Sequence, residues 1–529
     1  MSGYDGGRGS RGGSHGGSHG GSRDGSRGGG RAAGDERRNA SGRQRSAARF
    51  RGDDRSRTSQ APSERRKRTD PARTAAFDVL REVDESDAYA NLVLPPLLRE
   101  RRIRGRDAGF ATELTYGTLR LRGRYDAILA TCVDRPLPGL DPALLDVLRL
   151  GTHQLLGMRV PVHAAVSETV GLARNRVGAG PAQMVNAVLR RVSERTPDEW
   201  LSVLEKEAPD ALAGLAATQS HPLWVVRALR EALAGNGRAA DEIGDLLAAD
   251  NAAPRVTLVA RPGLVDAADE NAWGDVDLVA GRWAPTALRL EGSDPSGVPA
   301  VREGLAGVQD EGSQLVALAL AAAPLEGSDA RWLDLCAGPG GKAALLAALA
   351  AQRGARLVAN EVAPHRARLV AGALAALPDG AVEEVRTGDG REVGVDEPGA
   401  YDRVLVDAPC TGLGALRRRP ESRWRRTPSD LAALTGLQRE LLTSALDAVR
   451  PGGVVAYVTC SPHLAETQLV VADVLRRRDD VERLDAPAVV RSVVRPDAEI
   501  PLGDRDDVQL WPHVHGTDAM HLTLLRRTA

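Results

Sequence analysis

Along the first half of the chain, apolar residues recur at helical spacing. Ala76, Val79, Leu80 and Val83 fall at i, i+3, i+4 and i+7, one face of a helix. "DPALLDVLRLGTHQLL" opens with Asp141 as an N-cap and Pro142 at the first helical position, and it turns Leu144, Val147, Leu148 and Leu155 inward. "VHAAVSETVGLARN" and "AQMVNAVLRRVSE" continue the pattern, and no convincing strand precedes about residue 200. The pattern then mixes: helical "PLWVVRALREALAG" is followed by strand-like "RVTLVA" and "ALRL" among Gly, Pro and Asp turns. Beyond it, "RWLDLCA", "ARLVANE", "DRVLVDAP" and "GGVVAYVTC" are short apolar runs separated by helix-like sequence, which predicts a doubly wound parallel sheet. The boundaries so drawn are an all-helical domain over 69–200, a helical connector with a small α/β element over 201–306, and an α/β domain over 307–529.

Composition adds a fourth part. Residues 1–68 are rich in Gly, Ser and Arg ("RGGSHGGSHGGSRDGSRGGGR") and have little to bury, so they are expected to be disordered, as a solubilising tail or a loose hold on RNA phosphates. The first seventy residues carry sixteen Arg and one Lys against eight acids, which leaves the rest of a chain of net charge -1 acidic. Four cysteines without paired spacing, Cys132, Cys336, Cys410 and Cys460, argue against a disulfide framework or a structural zinc site and fit a reducing cytoplasm. No apolar run approaches the roughly 20 residues of a membrane span. A monomer with neither metal nor membrane partner is expected.

The first strand of the α/β domain runs into "DLCAGPGGKAALLAALA", where Gly338, Gly340 and Gly341 permit a tight turn and the following helix aims its N-terminus at the same place. The spacing fails the P-loop and the dinucleotide fingerprint. S-adenosylmethionine remains. Glu361, twenty residues beyond Gly341, is placed for its ribose hydroxyls, and Asp389 for the adenine edge.

Two later strands deliver Asp407, Cys410 and Cys460 to one crevice if they are neighbours across the sheet. That grouping suits methylation of pyrimidine carbon 5: a thiolate adds to carbon 6, and an acid engages ring nitrogen 3, a role open to Asp407. A packing role for one cysteine is the alternative, weakened by the presence of two. Directly after Cys410 comes "RRRPESRWRR", in which Arg417, Arg418 and Arg419 with Trp424 match the needs of a single-stranded RNA groove; a solvated surface loop is the competing reading.

"VQDEGSQLVA", "DLCAGPGGK", "DAPCTGLG" and "YVTCSP", in this order, resemble the Sun/RsmB family of RNA cytosine-C5 methyltransferases. "ELTYGTLR", "LRLGTHQLL", "HAAVSETV" and "VNAVLRRV" resemble the NusB-like domain of its bacterial small-subunit rRNA members. The resemblance implies an all-α NusB-like domain joined to a Rossmann-like domain with a mostly parallel seven-stranded sheet. It implies Cys460 as nucleophile and Cys410 as an aid to product release, with Asp407 and Lys342 completing the catalytic set. It also implies that Cys336, Ala337, Gly338, Pro339, Gly340, Gly341, Lys342, Glu361, Asp389 and Asp407 surround S-adenosylmethionine. Thr411 and Leu413 stand where the family has Ser and Thr, and the family's Pro-Glu-Glu-Asn is here Leu464, Ala465, Glu466 and Thr467. The substrate implied is RNA, small-subunit rRNA before tRNA, with a non-catalytic assembly factor as the alternative of another class.

Overall fold

The computed structural model describes residues 70–86, 88–292 and 294–529. The tail expected over 1–68 lies outside the described residues. Helices fill the chain from Pro71–Glu85 to Ala179–Val192, and four more follow, ending with Ile243–Asn251. Asp141 caps its helix as the sequence predicts: its side chain accepts the Leu144 amide at 3.1 Å. Val79, Leu80, Val147, Leu148, Val185 and Leu189 form the helical core, while Leu155 packs at its edge half-buried.

A small antiparallel sheet comes next, in the order β2-β3-β1-β4, from β1 (Val256–Ala260), β2 (Asp277–Ala280), β3 (Ala287–Glu291) and β4 (Ala306–Val308). The sequence pattern showed β1 and β3 but not β2 or β4. Of these, β2 is mostly exposed and β4 is only three residues long, so neither carries an apolar run.

The larger sheet uses β5 (Arg331–Asp334), β6 (Arg356–Glu361), β7 (Val382–Thr387), β8 (Tyr401–Asp407), β9 (Val449–Thr459), β10 (Val481–Arg483), β11 (Val508–Gln509) and β12 (His521–Arg527). Seven of them run in the order β10-β12-β9-β8-β5-β6-β7, and β11 pairs with β12 off this path. From β7 to β9 all pairings are parallel, whereas β12 and β10 join antiparallel. Strand order reverses between β5 and β8, and ligands bind at the carboxyl ends of the strands at such a switch point. The helix Gly341–Ala351 after β5 buries Leu345, Leu346 and Ala347 against the sheet, which fixes its N-terminus at that edge. Among the described residues, no helix is long and apolar enough to cross a membrane.

Candidate active site

The turn after β5 is held against the exit of β6. The Gly338 amide donates to Glu361 Oε2 at 3.0 Å, and the Ala363 amide to Glu361 Oε1 at 3.0 Å. A Cβ on Gly338 would stand 2.2 Å from Glu361 Oε2, and Gly340 adopts φ +111 with Ala373 closing the space a side chain would need. At Gly340 the backbone conformation therefore favours glycine, whereas a side chain at 338 would have to displace the Glu361 carboxylate. Asp389 lies beside this turn: the Gly388 amide donates to the Glu361 carbonyl at 3.3 Å, and Arg391 Nε donates to the Asp389 carboxylate at 3.0 Å. The Arg391 guanidinium lowers the Asp389 pKa.

Asp407 closes β8 opposite Val458 of β9, and its Oδ2 accepts from Lys342 Nζ at 2.8 Å. Burial works against the Lys342 ammonium, but the charge of Asp407 outweighs it and raises its pKa. Asp334, fully buried at the end of β5, is pushed up to about 8 by burial first and by Asp407 next. Burial also pushes the Cys336 thiol well up, so this cysteine stays a neutral wall of the loop.

Because β8 and β9 are neighbours, the loops after them meet. Cys410 Sγ and Cys460 Sγ are 3.4 Å apart. The Gly414 amide donates to the Cys460 carbonyl at 2.8 Å, and a Cβ on Gly414 would lie 2.3 Å from the Ala519 carbonyl oxygen, so only glycine allows this approach. The two thiols are unequal. Cys460 is lowered by its hydrogen bond with Cys410 and by the charges of Lys342 and Arg419, against burial and Asp407. Cys410 is raised well above the ordinary thiol value by its hydrogen bond with Cys460, by burial and by the charge of Glu466. Of the two thiols, Cys460 is thus the more easily ionised and Cys410 the one more firmly protonated.

Glu466, which sequence reasoning missed as a site residue, ties the two cysteine loops together. Fully buried, it accepts from the Thr411 amide at 2.8 Å, the Thr411 hydroxyl at 2.5 Å, the Ser461 hydroxyl at 2.6 Å and Gln438 Nε2 at 3.2 Å. Thr411 follows Cys410 and Ser461 follows Cys460, so one carboxylate sets the spacing of the pair. The sequence signals were an acid six residues after Cys460, which looks like any helix-start acid, and its place on the second Glu of the family's Pro-Glu-Glu-Asn.

The arginine-rich segment after Cys410 has many of its partners within the protein. Arg417 donates to the Gly516 carbonyl at 2.8 Å and Arg418 pairs with the buried Asp518. Arg423, fully buried, donates to the Ser220 carbonyl at 3.0 Å and to Asn251 Oδ1 at 2.9 Å. Trp424 packs so closely on Gly123 that a Cβ there would come within 2.3 Å of its ring. Of the four groups assigned to an RNA groove, Arg417 is buried, whereas Arg418 and Trp424 have protein partners yet stay part-exposed, and the segment docks the helices onto the catalytic loop. Leu413 and Leu416 complete that joint against Val225, Leu229 and Leu233. Arg419 lies with its guanidinium 4.7 Å over the Tyr89 ring and acts on Cys460 through its charge.

Comparison with known proteins agrees with this geometry. The family described as 16S rRNA methyltransferase RsmB/F matches residues 319–526, and the NusB family matches residues 70–194. A Mycobacterium tuberculosis protein, Rv1407, whose name goes no further than methyltransferase, is similar at 53% identity over 464 residues, 88% of this chain and 98% of its own. The ribosomal RNA small subunit methyltransferase B of Pseudomonas putida is 31% identical over 430 residues, 78% of this chain and 91% of its own. The crystal structure of PH0851 shares the fold, with a TM-score of 0.71 at 22% identity, over 86% of this chain and 98% of that one. A NusB-type helical region, a methyltransferase sheet and matching relatives along nearly their whole length place this chain in the RsmB/F family of RNA cytosine-C5 methyltransferases.

Proposed function

We propose that this chain methylates carbon 5 of a cytosine in small-subunit rRNA, with S-adenosylmethionine as methyl donor. The observation that carries the chemistry is the cysteine pair, 3.4 Å apart and oppositely shifted, beside the Lys342–Asp407 ion pair. The cofactor implied by the family fits the residues present. Each Glu361 oxygen accepts one backbone amide and keeps a second lone pair for a ribose hydroxyl. The N-terminus of the helix Gly341–Ala351 suits the carboxylate of the methionine moiety. Bound there, S-adenosylmethionine supplies an electrophilic methyl group.

The protein's own groups supply the rest. Cys460, ionised, adds to carbon 6 of the cytosine, and the electron pair released from the 5,6 double bond makes carbon 5 nucleophilic. As negative charge builds on ring nitrogen 3, a proton from Lys342 Nζ passes to the Asp407 carboxylate it bonds, Asp407 donates that proton to nitrogen 3, and it takes the proton back when the double bond reforms. After carbon 5 has taken the methyl group, solvent water takes its proton, the carbon–hydrogen electron pair reforms the 5,6 double bond, and Cys460 leaves with the carbon–sulfur electron pair. The Cys410 thiol then hydrogen-bonds the departing thiolate. The NusB-type region and the rRNA-directed relatives support rRNA over tRNA. Bisulfite sequencing of total RNA from a strain lacking the gene should show one or more small-subunit rRNA cytosines losing protection. Loss confined to tRNA would refute the rRNA assignment, and no loss anywhere would refute the activity.

A further inference from the structure

A strongly charged surface on the helical region is not used by the site described above. The helix Ala90–Glu100 ends in a turn that leads into the helix Gly105–Arg120, and across it Arg99, Arg101, Arg102, Arg104 and Arg106 are all exposed. Only Glu100 and Asp107 oppose them in that stretch. Arg101 pairs with Asp78 at 2.7 Å, but Arg176 shares the same oxygen at 2.9 Å, so one carboxylate faces two guanidiniums. Among the described residues, Arg99, Arg102, Arg104 and Arg106 form no ion pair.

The turn is built rather than loose. The buried Ile103 anchors it, with its amide donating to the Leu98 carbonyl at 2.9 Å, and the amides of Arg101 and Arg102 donate to the carbonyls of Leu97 and Arg99. Arg102 sits at φ 56, the left-handed conformation that a helix end ordinarily gives to glycine or asparagine. A long charged side chain held there against its backbone preference points to use of the side chain.

The same helix begins at the catalytic loop. Tyr89, just before it, lies under the guanidiniums of Arg419 and Arg425, at 4.7 and 5.0 Å, and the Ala90 amide donates to Glu421 Oε1 at 3.1 Å. Its eleven residues span about 16 Å at 1.5 Å per residue. The arginine turn is therefore at a fixed distance from the cysteine loop, too far for the target base and within reach of the flanking chain. We propose that Arg99, Arg102, Arg104 and Arg106, with the Arg101–Asp78–Arg176 cluster, form a second binding site, for the phosphates of substrate RNA outside the target nucleotide. This inference rests on the RNA methyltransferase reading.

The test uses the full chain with Arg102, Arg104 and Arg106 replaced by Ala, and two probes. One is a small-subunit rRNA transcript; the other is a short single-stranded oligonucleotide that fills only the active site. For the transcript, the slope of log affinity against log salt should become shallower by about 0.7 for each single-strand phosphate no longer neutralised, or about 0.9 for each duplex phosphate. Oligonucleotide binding and the rate of covalent adduct formation at saturating RNA should not change. Arg102→Gly should keep or raise the melting temperature and still weaken transcript binding, an outcome that a merely structural arginine would not give. An unchanged transcript slope in the triple variant overturns the proposal, as does equal weakening on both probes. If the wild-type chain, given S-adenosylmethionine, forms no adduct with either RNA made with 5-fluorocytidine, the methyltransferase reading itself fails, whatever the slopes.

Discussion

Removing the Glu466 carboxylate tests whether one buried acid sets the distance between the two thiols. In Glu466→Ala, the Thr411 and Ser461 hydroxyls, 3.1 Å apart, can bond each other, and Gln438 Nε2 keeps the Pro409 carbonyl at 2.8 Å. The Thr411 amide is left without its partner, which costs about 1–3 kcal/mol, and the truncated side chain leaves a cavity worth about 1–2 kcal/mol. The sum, about 2–5 kcal/mol, should appear as a lower denaturation midpoint in urea. The larger effect is on chemistry: with the loops untied, a displacement on the order of 1 Å costs roughly 10²-fold in rate. RNA transcribed with 5-fluorocytidine retains the adduct, because no carbon 5 proton can leave, so the rate of attack can be read from a denaturing gel. Glu466→Gln keeps the volume, and its amide can donate to the two hydroxyls while its oxygen still accepts the Thr411 amide. Most of the attack rate should return in this variant. Because the negative charge of Glu466 helps keep Cys410 protonated, alkylation of Cys410 in Glu466→Gln should begin at lower pH than in the wild type. Wild-type adduct formation in Glu466→Ala, with an unmoved Cys410 alkylation profile, would refute the clamp.

Further outcomes follow from the site. Cys460→Ala should bind RNA and form no adduct, whereas Cys410→Ala should accumulate protein covalently bound to RNA; the reverse pattern on a denaturing gel would make Cys410 the nucleophile. S-adenosylmethionine should raise the melting temperature of the wild type by mass action, and Glu361→Ala should reduce that shift; an equal shift in both would remove Glu361 from the cofactor site. Asp334, with an ordinary value of about 3.9, is raised to about 8 in the fold, so its contribution to stability is full below pH 4 and is lost as pH rises toward 8. Asp334→Asn should flatten the decline of the urea midpoint across that window, and parallel profiles for the two proteins would contradict the assignment.

How much of this was legible in the sequence divides along a physical line. The strands β5, β6, β8 and β9 are buried on both faces, so each had to be a short apolar run, and the runs were visible. The glycine turn, Glu361 and the two cysteines follow those strands within a few residues, so locating the strands located them. Strand β7 escaped because it reads "VEEVRT", with charged residues facing outward, and β12 was hidden by its position beside β9, which depends on a chain reversal and not on local pattern.

Side-chain partners were a different matter. Six arginines in ten residues have the same composition whether they meet phosphates or carbonyl groups, and only the fold brings Arg423 to the Ser220 carbonyl, 203 positions away. Glu466 likewise became the tie between two loops only when β8 and β9 were paired and Thr411, 55 positions earlier, came within 2.8 Å. Periodicity and short motifs are local, so the chain itself determined its sheet, its cofactor turn and its thiols. Charge compensation and hydrogen bonding are settled between groups distant in sequence, and these decided which arginines stay inside, which thiol ionises more easily, and what holds the pair together.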